Sequence, residues 1–247
     1  MTIVTAQGLN LGYRGTPLLH DLCFELRAGE ILAVVGHNGC GKSTLVKTLL
    51  GVLPPVSGEL RWPETRPDPI AYLGQITEFD RKFPLRVRDV AAMGAWGGLG
   101  FLGGLDAEDR RRIDRALEKA GISDIADMAL HELSSGQLQR ALFARTIVQD
   151  ARLILLDEPF TAVDQTTESQ LLQLIDDWAA EGRAVILVLH DLTAVLRHAS
   201  LALLLGKGRG RFGAPSDVLT PAHLVDQNYM SEAQADWMAQ MYGGTDV

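Results

Sequence analysis

The chain has 247 residues, 47 % of them hydrophobic, and a formal net charge of −8. That length and apolar content allow one large α/β domain or a domain with a subdomain, and the acidic balance argues against a general nucleic-acid binder. Cys23 and Cys40 are too few for a disulfide framework and have no zinc-site spacing. The start Met1-Thr2-Ile3-Val4 lacks the basic region and apolar stretch of a signal peptide. The apolar runs at 153–156, 184–189 and 201–205 fall far short of a span, which needs roughly 20 residues. A reducing cytosol is the expected setting, with membrane spanning left to another chain.

Residues 3–9, 22–26 and 30–35 read as strands, and residues 42–50 as a helix stopped by Gly51, with Pro54-Pro55 beyond it. Short strands follow at 58–61 and 70–73. From about residue 75 to 144 long strands disappear and helical patterns such as 87–93 and 108–120 take over, so this stretch reads as a helical insertion. Inside it, the glycine-dense run 97–104 predicts a mobile loop. Strand–helix alternation then resumes: strand 153–157, helix 166–181, strand 184–189, helix 192–198, strand 201–205. Leu171, Ile175 and Trp178 form a core-facing stripe on the long helix.

Three patterns carry chemistry. Gly36-His37-Asn38-Gly39-Cys40-Gly41-Lys42-Ser43-Thr44 fits the P-loop pattern G-x-x-x-x-G-K-[ST], and it lies between a buried-strand run and a helical run. Glycines let backbone N–H groups close around phosphate, and the helix start adds its positive end. Lys42 is placed to reach the β- and γ-phosphates and Ser43 to hold Mg²⁺; Lys42 is expected to be exposed in the empty loop. Cys40, at a helix start, is a candidate for a lowered pKa and reactivity with thiol reagents. Second, the apolar strand 153–156 ends in Asp157 and Glu158. In a P-loop protein those acids are the expected metal carboxylate, Asp157, and the group that polarises the attacking water, Glu158. Third, Ser134-Ser135-Gly136-Gln137 is a capping box before the apolar run 138–148. It makes an ordinary well-capped helix, and a helix start rich in Ser and Gly is also an anion site.

With these residues in view, the chain resembles the nucleotide-binding subunit of an ATP-binding cassette (ABC) transporter over nearly its whole length. Leu133–Gln137 is similar to the family signature Leu-Ser-Gly-Gly-Gln, continued by Gln139-Arg140. Residues 153–159 resemble the Walker B strand with its catalytic glutamate. Tyr13 lies where the family stacks an aromatic on adenine. Gln75 matches the glutamine that touches the metal and couples to the permease. Thr161-Ala162-Val163-Asp164 resembles the D-loop, and His190 before Asp191 the switch histidine.

The resemblance implies an α/β fold with a P-loop NTPase core of ABC ATPase type, N-terminal antiparallel β strands and an inserted helical subdomain. It implies one domain over 1–247, with a RecA-like core at 1–74 and 145–247 and the helical subdomain at 75–144. Nucleotide contacts fall to Tyr13, Gly36, Asn38, Gly39, Cys40, Gly41, Lys42, Ser43, Thr44, Gln75, Ser134, Ser135, Gly136, Gln137 and Asp164. Mg²⁺ falls to Ser43, Gln75 and Asp157, and catalysis to Glu158, His190 and Lys42. The implied partners are ATP, a second copy that sandwiches it between P-loop and opposite signature, integral-membrane permease subunits and an extracytoplasmic substrate-binding protein. The implied place is the cytoplasmic face of the membrane.

The run Phe79-Asp80-Arg81-Lys82-Phe83-Pro84-Leu85-Arg86-Val87-Arg88-Asp89-Val90 and the segment 158–164 further resemble ATPases of zinc, manganese and iron importers. Two departures stand out. Ser135 replaces the first glycine of the signature pair, putting a side chain where backbone approaches phosphate. His37 and Cys40 replace the family's commoner Pro and Ala. The competing readings are a soluble ABC ATPase with an assembly or scaffold role and no permease, and a nucleotide switch with negligible turnover.

Overall fold

The computed structural model describes residues 1–74, 83–98, 104–161 and 163–235. These residues fall into two compact units, one drawn from Met1–Arg66 and Ile186–Val247 and the other from Pro67–Val185.

The first unit opens with β1 (Thr2–Tyr13) and β2 (Thr16–Arg27), antiparallel partners, with β4 (Ser57–Arg61) on the other side of β1. The N-terminal antiparallel strands expected of the fold are therefore present. They are longer than the sequence pattern suggests, because Tyr13 pairs with Thr16 across a two-residue turn. Arg14 (φ 51°) and Gly15 (φ 77°) are both left-handed, the geometry that matches the twist of a tight hairpin.

The wholly buried β3 (Ile31–Gly36) runs parallel to β8 (Leu201–Gly206), and continuous apolar strands are what a sheet covered on both faces requires. Antiparallel β9 (Arg209–Gly213) follows β8 through Lys207 (φ 45°) and Gly208 (φ 73°). The β-hairpin and the β8–β9 pair are joined by the Phe24–Phe212 ring contact at 6.4 Å and by the His20 amide donating to the Gly208 carbonyl at 2.7 Å. The helices of this unit include α1 (Lys42–Leu49), α6 (Leu192–His198), α7 (Pro215–Val218) and α8 (Pro221–Asp226). Both α7 and α8 begin on a proline, whose missing N–H costs nothing there.

The second unit pairs β5 (Ile70–Leu73) in parallel with β6 (Leu153–Asp157). It also holds α2 (Val87–Ala92), α3 (Ala107–Lys119), α4 (Ser135–Gln149) and α5 (Gln165–Ala180). Buried β7 (Ala184–Val188) carries the chain across the boundary between the units. Asp106 caps α3 and Asp109 returns the bond, as in the capping box of α4. The stripe Leu171, Ile175 and Trp178 is buried as expected. Trp178 stacks on Phe143 of α4 with ring centroids 5.8 Å apart and planes 12° from parallel. Arg140 of α4 crosses to the Ala120 carbonyl at 3.1 Å, to the Thr167 hydroxyl at 3.4 Å and to the Gln170 amide oxygen. Ring stack and guanidinium together fix α5 against α4.

Trp178→Ala deletes a fully enclosed ring and its stacking partner. The expected cost is about 3–5 kcal/mol of stability, read from the shift in the urea unfolding midpoint. A loss below about 1 kcal/mol would mean that the α4–α5 contact is loose.

Candidate nucleotide site

In the first unit, β3 delivers the chain to Gly36 and α1 begins at Lys42. Its N-cap, Gly41, has φ 112°, and no side chain caps the helix. The first amides of a helix have no partner within it. Left without a side-chain acceptor, they point to an external anion, the arrangement that holds phosphate at a helix start. Ser43 is exposed on the first turn of α1, open to a ligand at the helix start.

Lys42 does not stand in the open as expected. It is only 6 % exposed, and its ammonium donates to the Gly36 carbonyl at 2.7 Å and the His37 carbonyl at 3.3 Å. The reason is that a loop bent around phosphate turns its N–H groups inward to one focus and leaves carbonyls where the lysine stem returns along them. Thr44, buried, donates to the Tyr13 hydroxyl at 3.4 Å. Tyr13 is 48 % exposed, which leaves its ring available beside the helix start.

Cys40 also departs from expectation. Burial pushes its thiol up, against the smaller opposing pull of Lys42. A Cβ placed on Gly36 would lie 2.5 Å from Cys40 Sγ, so the sulfur fills the space that glycine leaves. It is a packing group and not a thiolate nucleophile.

His190 sits on a bend just past β7. The Leu189 amide before it donates to the Val34 carbonyl of β3 at 3.2 Å, and Asp191 after it caps α6 by accepting from Thr193 N at 2.8 Å. His190 is thus set beside the strand that leads into the loop before α1. Its own carbonyl accepts from the Tyr229 hydroxyl at 2.6 Å, a partner that no sequence pattern pointed to.

In the second unit, β6 ends at Asp157, 5 % exposed. Glu158 follows with φ 51°. A left-handed backbone on a residue other than glycine is sparsely populated and clusters at functional positions; here it turns the glutamate sharply off the strand end. The Ser134 hydroxyl accepts from Gln137 N at 3.2 Å and the Gln137 side chain accepts from Ser134 N at 2.9 Å, the expected box. Ser135 opens α4 itself. Asp164 caps α5, accepting from Thr167 N at 2.9 Å and the Thr167 hydroxyl at 2.7 Å, and these bonds hold its carboxyl below the usual range. A Cβ on Gly136 would lie 3.5 Å from both Asp164 Oδ2 and Thr167 Oγ1. The signature and D-loop segments therefore face each other within this unit with room for about one methyl group between them. Gln75, Ala162 and residues 99–103 of the glycine-dense run lie outside the described residues.

An uncapped loop before α1, a buried strand ending in two acids and a second capped helix start are features of a P-loop nucleoside triphosphatase of the cassette type. The ABC transporter family model matches residues 19–161, and the chain belongs to that family. It is 38 % identical over 207 residues to the zinc transport system ATP-binding protein TroB of Treponema pallidum, covering 82 % of this chain and 77 % of the relative. It is 34 % identical to the manganese transport system ATP-binding protein MntA of Synechocystis, covering 90 % and 88 %. Among solved structures, an inward-facing metal-chelate type ABC transporter superposes with a TM-score of 0.84 at 31 % identity, covering 93 % of this chain and 90 % of that one.

The two thiols should separate under native conditions. A maleimide or Ellman's reagent is expected to modify exposed Cys23 and spare Cys40, with Cys40 reacting only on unfolding. Mass spectrometry of the labelled peptides checks this, and native labelling of Cys40 would show the phosphate loop to be open.

Proposed function

We propose that the chain is the ATP-hydrolysing motor subunit of an importer for a transition metal ion, zinc or manganese, driven through separate permease subunits. The observation that carries the nucleotide reading is the uncapped start of α1 behind Gly41, with Lys42 seated at its root. The metal rests on the zinc and manganese transport systems to which the relatives belong and on the importer-like segments 79–90 and 158–164.

In this reading Tyr13 stacks on the base, and the amides of residues 38–44 with Lys42 hold the phosphates. Ser43, Asp157 and Gln75 are the oxygen ligands that fit Mg²⁺, which neutralises phosphate charge when bound. Glu158 accepts a proton from water as its oxygen attacks the γ-phosphorus, and the bond to the bridging oxygen breaks to leave ADP and phosphate. Lys42 and His190 offset charge on the transferring group, joined by Ser134 from the signature of a second copy. Such a homodimer closes on ATP and reopens after hydrolysis. Ser135, Gly136, Gln137 and Asp164 line the closing surface, and Ser135 adds a hydroxyl where the family has glycine.

Residues 1–74 and 145–247 form the nucleotide-binding core in this scheme, and 75–144 an inserted subdomain that meets the permease. Trp96 and Phe83, each 59 % exposed, give that stretch apolar surface for a short permease helix. Among the described residues no helix is long and apolar enough to cross a membrane. The chain is assigned to the cytoplasmic face, peripheral to its permease and working with an extracytoplasmic binding protein. The transport-system names of the relatives favour this over a permease-free scaffold role.

Glu158→Gln keeps shape and removes the base. We expect MgATP binding to persist, hydrolysis to fall by at least about 100-fold, and an ATP-dependent dimer to accumulate on size-exclusion chromatography. Hydrolysis at the wild-type rate would remove Glu158 from the mechanism. For the cargo, deletion of the gene in a strain lacking a redundant importer should impair growth in chelator-treated medium, with zinc or manganese alone restoring it. Normal growth under limitation of zinc, manganese and iron would refute the metal assignment and leave the ATPase untouched.

A further inference from the structure

The end of the first unit reaches back to the switch histidine. After β9 the chain passes through α7 and α8 and turns at Asn228 (φ 57°). Asp226 at the end of α8 pairs with Arg211 at 3.1 Å and Lys207 at 3.7 Å. Gln227 lies against the end of β8 so closely that a Cβ on Gly206 would sit 2.2 Å from the Gln227 carbonyl oxygen and 2.6 Å from its Cβ. Only a residue without a side chain admits that approach.

Two residues further on, Tyr229 meets the His190 carbonyl. A carbonyl has no proton to give, so the tyrosine is the donor, and 2.6 Å is at the short end for such a bond. Burial, with a smaller push from Asp191, raises the Tyr229 hydroxyl above its ordinary range. It therefore keeps its proton at neutral pH.

We propose that Tyr229 is a positioning residue for ATP hydrolysis: its hydroxyl fixes the His190 peptide and so aims the imidazole at the γ-phosphate. The proposal rests on the reading of His190 as a γ-phosphate contact. The physical need is plain. His190 lies on a bend, outside β7 and α6, so the ladder bonds of neither element hold its carbonyl. Leu189 before it is tied to β3 and Asp191 after it is tied to α6. The oxygen between those anchors accepts from the Tyr229 hydroxyl. Tyr229 holds it from a segment that is itself pinned to β8 and β9.

The test uses the full chain with Tyr229→Phe, Arg211→Ala and His190→Ala, measuring kcat and KM for MgATP with the melting temperature. Tyr229→Phe keeps the ring and removes only the donor. Its kcat is expected to fall about five-fold, the factor that one lost hydrogen bond of ordinary strength represents. KM should stay within about two-fold, because the phosphate loop binds the ground state. Arg211→Ala breaks only a solvent-exposed ion pair of the same segment, a weak tie beside the packing of Gln227 on Gly206, and should leave kcat unchanged.

An unchanged kcat in Tyr229→Phe beside an inactive His190→Ala would overturn the proposal and leave the role of His190 standing. An equal fall in Arg211→Ala and Tyr229→Phe would also overturn it, since seating of the segment would then explain both. Wild-type turnover in His190→Ala would withdraw the role of His190 and the positioning with it.

Discussion

The first amides of α1 find no acceptor among the side chains before them, and the left-handed backbone of Gly41 is what arranges this. A helix start left in this state concentrates partial positive charge at one point. The surrounding pieces of the first unit serve that point. Buried β3 fixes its height, Thr44 ties it to Tyr13, and the bond from Leu189 to Val34 brings the histidine loop alongside. None of this requires a positive protein. The chain carries a net charge of −8, and the local field of oriented amides and one lysine still selects a polyphosphate.

Lys42 shows how the cradle is kept in shape. An ammonium buried with no acceptor would cost several kcal/mol; two backbone carbonyls meet that cost. The same carbonyls become competitors when phosphate arrives. The cation has only to swing from neutral oxygens to charged ones, and charge-assisted bonds are roughly twice as strong as neutral ones. The side chain is thus stored close to its working position without being exposed to water.

Much of this was legible from residue order. Buried strands announce themselves as apolar runs, as at β3, β6 and β7. The box of Ser134 and Gln137 declares the start of α4. Other parts were not, for identifiable reasons. Both hairpin turns, at Arg14-Gly15 and Lys207-Gly208, put a long basic residue in a left-handed position where Asn or Asp is usual. Strands ending there were therefore read short, and β9 was missed. The helices α7 and α8 were signalled only by prolines at their starts. Lys42 and Cys40 were misjudged because exposure depends on how the loop folds around them. The backbone of Glu158 and the reach of Tyr229 to His190 are set by distant packing, which no local pattern carries.

One contact has a mechanical reading. Arg140 bonds the Thr167 hydroxyl near the start of α5, while further along the same two helices Phe143 stacks on Trp178. Joined at the head and again along the shaft, α4 and α5 form a single lever with two tips, the signature and the D-loop. Neither tip can fray alone without breaking the core that supports the other, so the pair belongs to one cooperative unit. The least costly displacement is a rotation of the whole lever. A push delivered at either tip then passes through the α4–α5 contacts toward the other.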